Sequence, residues 1–476
     1  MNTLKQFING QFIDALSGRQ LEVEDPFEGK IIGLAPDGDA SDADAALRAA
    51  AAAQPSWAKK SAPERASYLR AMAAQIRANR VELAQTLARE QAKVMPLAQV
   101  EIDFTADYFE YYAGWARIYE GEIIQSDRPN ENIFLFRKPI GVVAGICPWN
   151  FPFFVMARKV APSLLAGCTA VIKPSSLTPL TTFAFAGMVE ATGLPAGALN
   201  FVSGRGSTLG DALVRHELTD MVSLTGSVEA GRDIIRASAD RITKVSLELG
   251  GKAPAIVFKD ADIDLAVKAI VDSRVIFGGQ VCNCAERAYV HASVFDEFVE
   301  KISLAMSKVS YGSPFAEPAP QMSSLIDSRQ LDKVEAMVER AIAEGAEVVT
   351  GGCRAEGSGY KYEPTILAGC TQQSEIVQSE VFGPVLPILP FTDYDEAIAL
   401  ANDSRYGLTS SVFSSNVSLV MQALKDLRFG ETYVNREHFE GMQGFHAGWR
   451  QSGIGGADGK HGLMEYLQSQ VAYVQY

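Results

Sequence analysis

The chain is short of positive charge, of cysteine and of long apolar runs, and each shortage excludes a class of protein. Forty-three Lys and Arg stand against 57 Asp and Glu, for a formal net charge of −14 and a pI near 5.0. Nucleic acid and anionic membrane surfaces both need a basic face, so neither is expected as a partner. The six cysteines (Cys147, Cys168, Cys282, Cys284, Cys353 and Cys370) are too sparse for a disulfide framework. None sits in paired CxxC spacing with histidines, so no zinc site is expected, and a reducing cytoplasm is the expected setting. No stretch reaches the roughly 18 uninterrupted apolar residues of a membrane helix. Residues 1–16 contain Asp14 and lack an apolar centre with basic flanks, so they do not read as a secretory signal. Internal repeats and low-complexity linkers are missing too.

What is present is an ordinary globular composition, 47% hydrophobic and 21% charged over 476 residues. That length exceeds one hydrophobic core and predicts two or three subdomains. Residues 7–9 and 12–14 read as strand pieces, with a turn at Asp25-Pro26. From Asp42 the chain is Ala-rich and helical, with breaks, to about Tyr119. Ser61-Ala62-Pro63-Glu64 reads as a capping box. Residues 121–136 read as a β-hairpin and residues 470–476 as an edge strand. Both could pair with another subunit, so a homo-oligomer, dimer or tetramer, is expected.

From Gly141 strands and helices alternate. Strands are expected at 142–146, 170–172, 199–201 and 221–224, with helices at 156–166, 179–192 and 208–215. This βαβ rhythm implies a mostly parallel sheet covered by helices. A second alternating block begins at 255–258, with an Asp-capped helix from Asp262. The expected fold class is therefore α/β: a Rossmann-like dinucleotide-binding domain (1–118 and 140–249), a second α/β catalytic domain (250–463) and a small β oligomerisation arm (119–139 and 464–476). Gly204-Arg205-Gly206 with Gly210 gives GxGxxxG after a strand, which departs from the GxGxxG fingerprint. Thr225-Gly226-Ser227 is a second strand–glycine–helix junction. Two such junctions in one sheet point to a dinucleotide, because helix N-termini offer free N–H groups to phosphate.

Five motifs then appear in order: Pro148-Trp149-Asn150-Phe151-Pro152, Val171-Ile172-Lys173-Pro174, Leu247-Glu248-Leu249-Gly250-Gly251-Lys252, Gly279-Gln280-Val281-Cys282 and Glu380-Val381-Phe382-Gly383-Pro384. Together they closely resemble the aldehyde dehydrogenase superfamily over essentially the whole chain. The tail, Asn435-Arg436-Glu437-His438-Phe439-Glu440 through Gly444-Phe445-His446-Ala447-Gly448-Trp449, resembles more specifically its bacterial lactaldehyde (glycolaldehyde) branch.

The resemblance implies NAD(P)-dependent oxidation of a small aldehyde to its acid. It makes Cys282 the nucleophile, and sulfur suits that task as a strong nucleophile and then a good leaving group. It makes Glu248 the general base, set among Val245, Leu247 and Leu249, where partial desolvation would raise its pKa. Asn150 becomes the oxyanion donor, with the Cys282 backbone N–H. Trp149, Lys173, Ser176, Gly206, Gly226, Ser227, Leu249, Glu380 and Phe382 become the cofactor residues, and Arg158, Glu440 and His446 the substrate residues. Cys284 is expected to be structural, while His438 and His461 carry no argued role.

Two positions depart from the family pattern. Many NAD-preferring relatives have glutamate at the position of Ser176; serine removes that repulsion and makes NADP acceptable beside NAD. Phe277 replaces a common asparagine, and either narrows the substrate tunnel or fills core. The loop 441–448 is expected to be mobile enough to close over a ligand, and too polar for a long alkyl chain. Competing readings are a semialdehyde dehydrogenase with Arg158 on a distal carboxylate, a CoA-acylating relative, which Glu248 argues against, and a silent structural relative.

Overall fold

The computed structural model describes residues 2–476. Five apolar stretches form parallel strands: Val142–Ile146, Thr169–Lys173, Leu199–Phe201, Met221–Thr225 and Lys244–Glu248. Numbered along the chain, they lie side by side in the order 3-2-1-4-5, at the heart of an eight-stranded sheet. The first four are almost wholly buried because helices cover both faces, so they do not alternate apolar-in with polar-out. Lys244–Glu248 alternates and is only partly buried at its start. The order reverses between Val142–Ile146 and Met221–Thr225. At such a switch point the loops leave the strand ends in opposite directions and open a crevice.

The second sheet has seven strands, in the order Glu347–Thr350, Thr365–Ala368, Val385–Phe391, Ala285–His291, Ala253–Val257, Thr409–Phe413 and Glu431–Val434. All neighbours run parallel except the first pair. Gly250 and Gly251 connect the sheets, so the carboxyl end of Lys244–Glu248 leads straight into Ala253–Val257. Late in the chain, Gly453–Ile454 returns to the first sheet and pairs with Leu247 and Glu248.

A third sheet forms the arm. Leu467–Gln475 pairs antiparallel along the whole of Glu131–Pro139, which also pairs with Glu122–Gln125. The two segments expected to be able to pair with another subunit therefore satisfy each other along one edge. The arm nevertheless exposes Ile123, Tyr473 and Tyr476, at 74%, 68% and 74%.

Several local expectations change. Asn9 and Gly10 both take positive φ, +53° and +75°, forming the two-residue hairpin turn between Gln6–Ile8 and Gln11–Ile13. Each strand thus ends or begins one residue earlier than read. Ser61 accepts from the Glu64 N–H, but the Glu64 carboxylate turns to Lys60 instead of closing a capping box. A reciprocal box forms at Asp39 and Asp42. The 156–166 helix starts at Pro152, whose missing N–H costs nothing in a first turn, and all fifteen of its residues are buried. The glycines at 206–210 form a wide turn, and the helix begins only at Asp211.

Candidate active site

Loops from the carboxyl ends of the parallel strands meet loops from the second sheet around Cys282. The approach to this residue is a tight turn. Phe277, Gly278 and Gly279 all take positive φ, and a Cβ on Gly279 would fall 2.3 Å from the Gly383 carbonyl oxygen. Only glycine fits there. Cys282 emerges half-buried and lines two spaces at once: a pocket walled by Phe104, Phe154, Ile276 and Phe439, and a cleft along the first sheet's carboxyl edge.

Asn150 borders both spaces as well. Its side-chain amide donates to the Gln280 carbonyl at 3.0 Å. Its own carbonyl accepts from Gln91 at 2.9 Å and from Lys93 at 2.7 Å. Lys93 is buried with Glu101 as an ion pair, and its ammonium faces the rings of Phe151 and Phe277, 3.7 and 4.6 Å from their centroids. Glu101 also accepts from the N–H groups of Phe153 and Phe154, at the positive end of the helix Pro152–Ala166. Phe277 therefore fills core under Asn150 and lines neither the pocket nor the cleft.

Glu248 closes its strand and is buried. Neither carboxylate oxygen has a hydrogen-bond partner among the described residues. Burial pushes its pKa up to about 8, with His446 and Arg158 pulling the other way. The Nε2 of His446 stands 3.5 Å from Glu248 Oε2, and its Nδ1 is 2.9 Å from Glu431 Oε1. Burial and Arg158 favour a neutral His446, yet the Glu431 carboxylate and the contact with Cys282 outweigh them and hold its pKa well above the usual range.

Arg158 reaches the polar end of the pocket but is not free. It bonds Glu440 at 2.9 Å and grips Asp458 through two bonds of 2.6 and 3.1 Å. Asp458 also accepts from the Tyr108 hydroxyl, and Glu440 from the Asn283 amide. The loop expected to move is tied down: His446 and Ala457 exchange two backbone hydrogen bonds, and Gly459 N–H bonds the Met442 carbonyl. His438 lines the pocket beside Ser273, neutral because burial lowers its pKa to about 3. His461 packs against Phe445. Cys284 is buried, which pushes its thiol up to about 12.

All nine residues expected to bind a cofactor line the cleft: Trp149, Lys173, Ser176, Gly206, Gly226, Ser227, Leu249, Glu380 and Phe382. Lys173 is buried, its ammonium reaches only the Pro174 carbonyl, and it forms no ion pair among the described residues. Burial lowers its pKa to about 8. Glu380 accepts from the Gly251 N–H at 2.8 Å, and a Cβ on Gly250 would fall 2.6 Å from its other oxygen. Burial and then Glu286 raise Glu380 to about 7. Ser227 caps the helix Val228–Ser238, so that helix presents its N-terminus to the cleft. Phe382 and Trp149 meet edge to face with centroids 5.3 Å apart. A lone buried ammonium, a carboxylate, a helix N-terminus and two aromatic rings suit a dinucleotide's hydroxyls, phosphates and flat ring.

Asp458, Glu431, Asn283, Lys93 and Glu101 were not foreseen from sequence. For Asp458 the one available signal was the need of buried Arg158 for a counter-charge; the other four pair with groups other than Arg158. Among the described residues, no cluster of three or more His, Cys, Asp or Glu could hold a metal, and no helix is long and apolar enough to cross a membrane.

Known proteins match this arrangement end to end. The family model described as "Aldehyde dehydrogenase family" matches residues 12–472. Lactaldehyde dehydrogenase of Escherichia coli (strain K12) is 54% identical over 469 residues, covering 98% of each chain. The crystal structure of lactaldehyde dehydrogenase from Escherichia coli superposes with a TM-score of 0.99, covering all of both chains. A 3,6-anhydro-L-galactose dehydrogenase solved in complex with NAP gives 0.97 at 43% identity, covering 99% of this chain and 100% of its own. By matched length, identity and superposition alike, this chain belongs to the aldehyde dehydrogenase family.

Proposed function

We propose that this enzyme oxidises a small hydroxylated aldehyde, lactaldehyde or glycolaldehyde by preference, to the carboxylic acid with NAD or NADP. The observation that carries this reading is the position of Cys282, shared between an aromatic-walled pocket with a polar end and the dinucleotide-shaped cleft. The likeness to lactaldehyde dehydrogenase of Escherichia coli supports the substrate class.

In this reading Cys282 Sγ attacks the aldehyde carbon to give a thiohemiacetal. The Asn150 amide and the Cys282 N–H take up the charge growing on oxygen. Bound in the cleft, the dinucleotide supplies the hydride acceptor that makes the next species a thioester. Lys173 and Glu380 would hold its ribose hydroxyls, Trp149 and Phe382 its nicotinamide side, and the glycine turns with Leu249 its remaining length. Glu248 then takes a proton from water, the hydroxide attacks the thioester carbon, and the C–S bond breaks with the thiolate leaving. Glu440 and His446 bind the substrate hydroxyl, with Arg158 holding Glu440 in place. Two carboxylates already neutralise Arg158, which disfavours a semialdehyde whose distal carboxylate would need that charge.

Ser176 puts no carboxylate at its own position to repel a 2′-phosphate, so both cofactors are accepted. We assign residues 1–118 and 140–249 to cofactor binding, 250–463 to catalysis, and 119–139 with 464–476 to an arm. Its exposed apolar residues would join subunits of a cytoplasmic homo-oligomer, dimer or tetramer. NADH and NADPH formation over an aldehyde panel tests the substrate reading. Glycolaldehyde or lactaldehyde should exceed hexanal in kcat/KM, and a clear preference for hexanal would sink it.

A further inference from the structure

Glu248 is a buried carboxylate without a hydrogen bond, and a buried anion of that kind needs a nearby positive charge. Arg158 is one candidate, but Asp458 and Glu440 neutralise it. Lys159 is another, and its ammonium is turned to the Ser223 and Thr225 hydroxyls. The remaining group is His446. It is 2% exposed, and its backbone is pinned to Ala457. Its two ring nitrogens point at two different carboxylates, Glu431 at 2.9 Å and Glu248 at 3.5 Å.

Proton counting decides what this line of three can do. Nδ1–H donates to Glu431. If Nε2 carries no proton, its lone pair faces Glu248, which must then be the neutral acid and is no base. If Nε2 is protonated, Glu248 can remain a carboxylate beside an N–H and a positive charge. One proton thus rests either on His446 or on Glu248. A negative charge on Glu431 favours the proton on His446, as the imidazolium.

We propose that Glu431 is a positioning residue for thioester hydrolysis: it keeps the shared proton on His446 and so leaves Glu248 free to take the next proton from water. The proposal rests on the reading of Glu248 as the base. Glu431 lines neither the pocket nor the cleft, so it acts through His446. During hydrolysis the water oxygen bonds the acyl carbon, its proton passes to Glu248, the C–S electrons go to Cys282, and the imidazolium is unchanged. Besides one another, the charged or titratable groups facing these residues are Arg158, Lys159 and Asp458 toward Glu248, Arg158 and Cys282 toward His446, and Tyr433, Arg158 and His438 toward Glu431. All of them remain when Glu431 is replaced.

The test follows acyl-enzyme decay after a single turnover with glycolaldehyde and NAD, from pH 6 to 9. In Glu431→Gln the rising limb of the decay rate should move up by about one pH unit, with decay at pH 7 about tenfold slower. His446→Gln should shift the limb similarly, and the double variant no further than either single one. An unmoved limb in folded Glu431→Gln overturns the proposal. With five histidines in the chain, carbon-13 labelling of histidine gives a second readout in the wild-type enzyme, whether or not the variants fold. A resonance assigned to His446 that is imidazolium at pH 8 is expected, and a neutral one at pH 7 overturns the proposal. Glu248→Gln keeps the two questions apart: if it does not retain the acyl group, the base assignment itself fails.

Discussion

The Lys93 ammonium donates to the main-chain carbonyl of Asn150 at 2.7 Å, inside a box closed by Glu101, Phe151 and Phe277. This contact fixes the peptide of Asn150, whose side-chain amide donates to the Gln280 carbonyl two residues before Cys282. Lys93→Met should lower kcat for aldehyde oxidation at least tenfold through a misplaced oxyanion donor. It would also leave Glu101 buried without a counter-charge, at a cost of about 3–5 kcal/mol. Rapid-mixing kinetics and thermal unfolding check the two effects separately. Unchanged kinetics with a lowered Tm would assign Lys93 to stability alone.

Arg158 gives a related prediction for substrate choice. Glu440→Ala leaves the guanidinium paired with Asp458, so the fold should survive while the preference for hydroxy-aldehydes over propanal weakens, by about 1–3 kcal/mol for one lost hydrogen bond. Arg158→Met instead leaves Asp458 buried and unpaired and should unfold more readily. The ratio of kcat/KM for glycolaldehyde and propanal, with Tm alongside, distinguishes these outcomes.

Cofactor choice should turn on Ser176. The wild-type enzyme is expected to reduce both NAD and NADP. Ser176→Glu should abolish NADP turnover with little change for NAD, because a carboxylate there repels a 2′-phosphate. Steady-state kcat/KM with each cofactor measures it, and absolute NAD selectivity in the wild type contradicts it.

Stability should fall as pH rises from 6.5 to 8. Burial raises Glu90 and Glu380 to about 7 and Glu248 to about 8, far above an unfolded glutamate. The folded chain therefore holds protons that the unfolded chain has released. Stability from these groups is complete below the unfolded pKa and is lost as pH climbs through the folded one. Glu248 and the raised His446 share one proton, so together they contribute it once, in the same direction. His438, lowered to about 3, opposes only below pH 6.5, and Lys173, lowered to about 8, opposes only above 8. Thermal unfolding should show a declining Tm across this window, flattened in Glu248→Gln.

The cleft was legible in the sequence because its parts are local. Lys173 and Thr225 follow expected strands, and Gly226 and Ser227 open a helix, so position along the chain already placed them on one edge. Glu248 was marked by its motif, while its strand was not read. Phe277 was legible as a departure, but tunnel and core stayed open alternatives, since its partner Lys93 lies far off in sequence. Asp458 stands 300 residues from Arg158, and no local pattern marks such a pairing. Glu431 opens a strand and reads there as an ordinary solvent-facing charge. It turns inward because the loop carrying His446 folds back over it. The arm shows the same limit: both strands read correctly, while their pairing along Glu131–Pro139 is a long-range fact.

The central claim is that Cys282 carries the acyl group and that Glu248 activates the water that removes it. Glu248→Gln mixed rapidly with NAD and glycolaldehyde tests this most directly. The account predicts a burst of one NADH per active site, slow turnover afterwards, and a protein whose mass has risen by one glycolyl group on the peptide containing Cys282. No burst, or a full burst with no acyl group retained on Cys282, would contradict it.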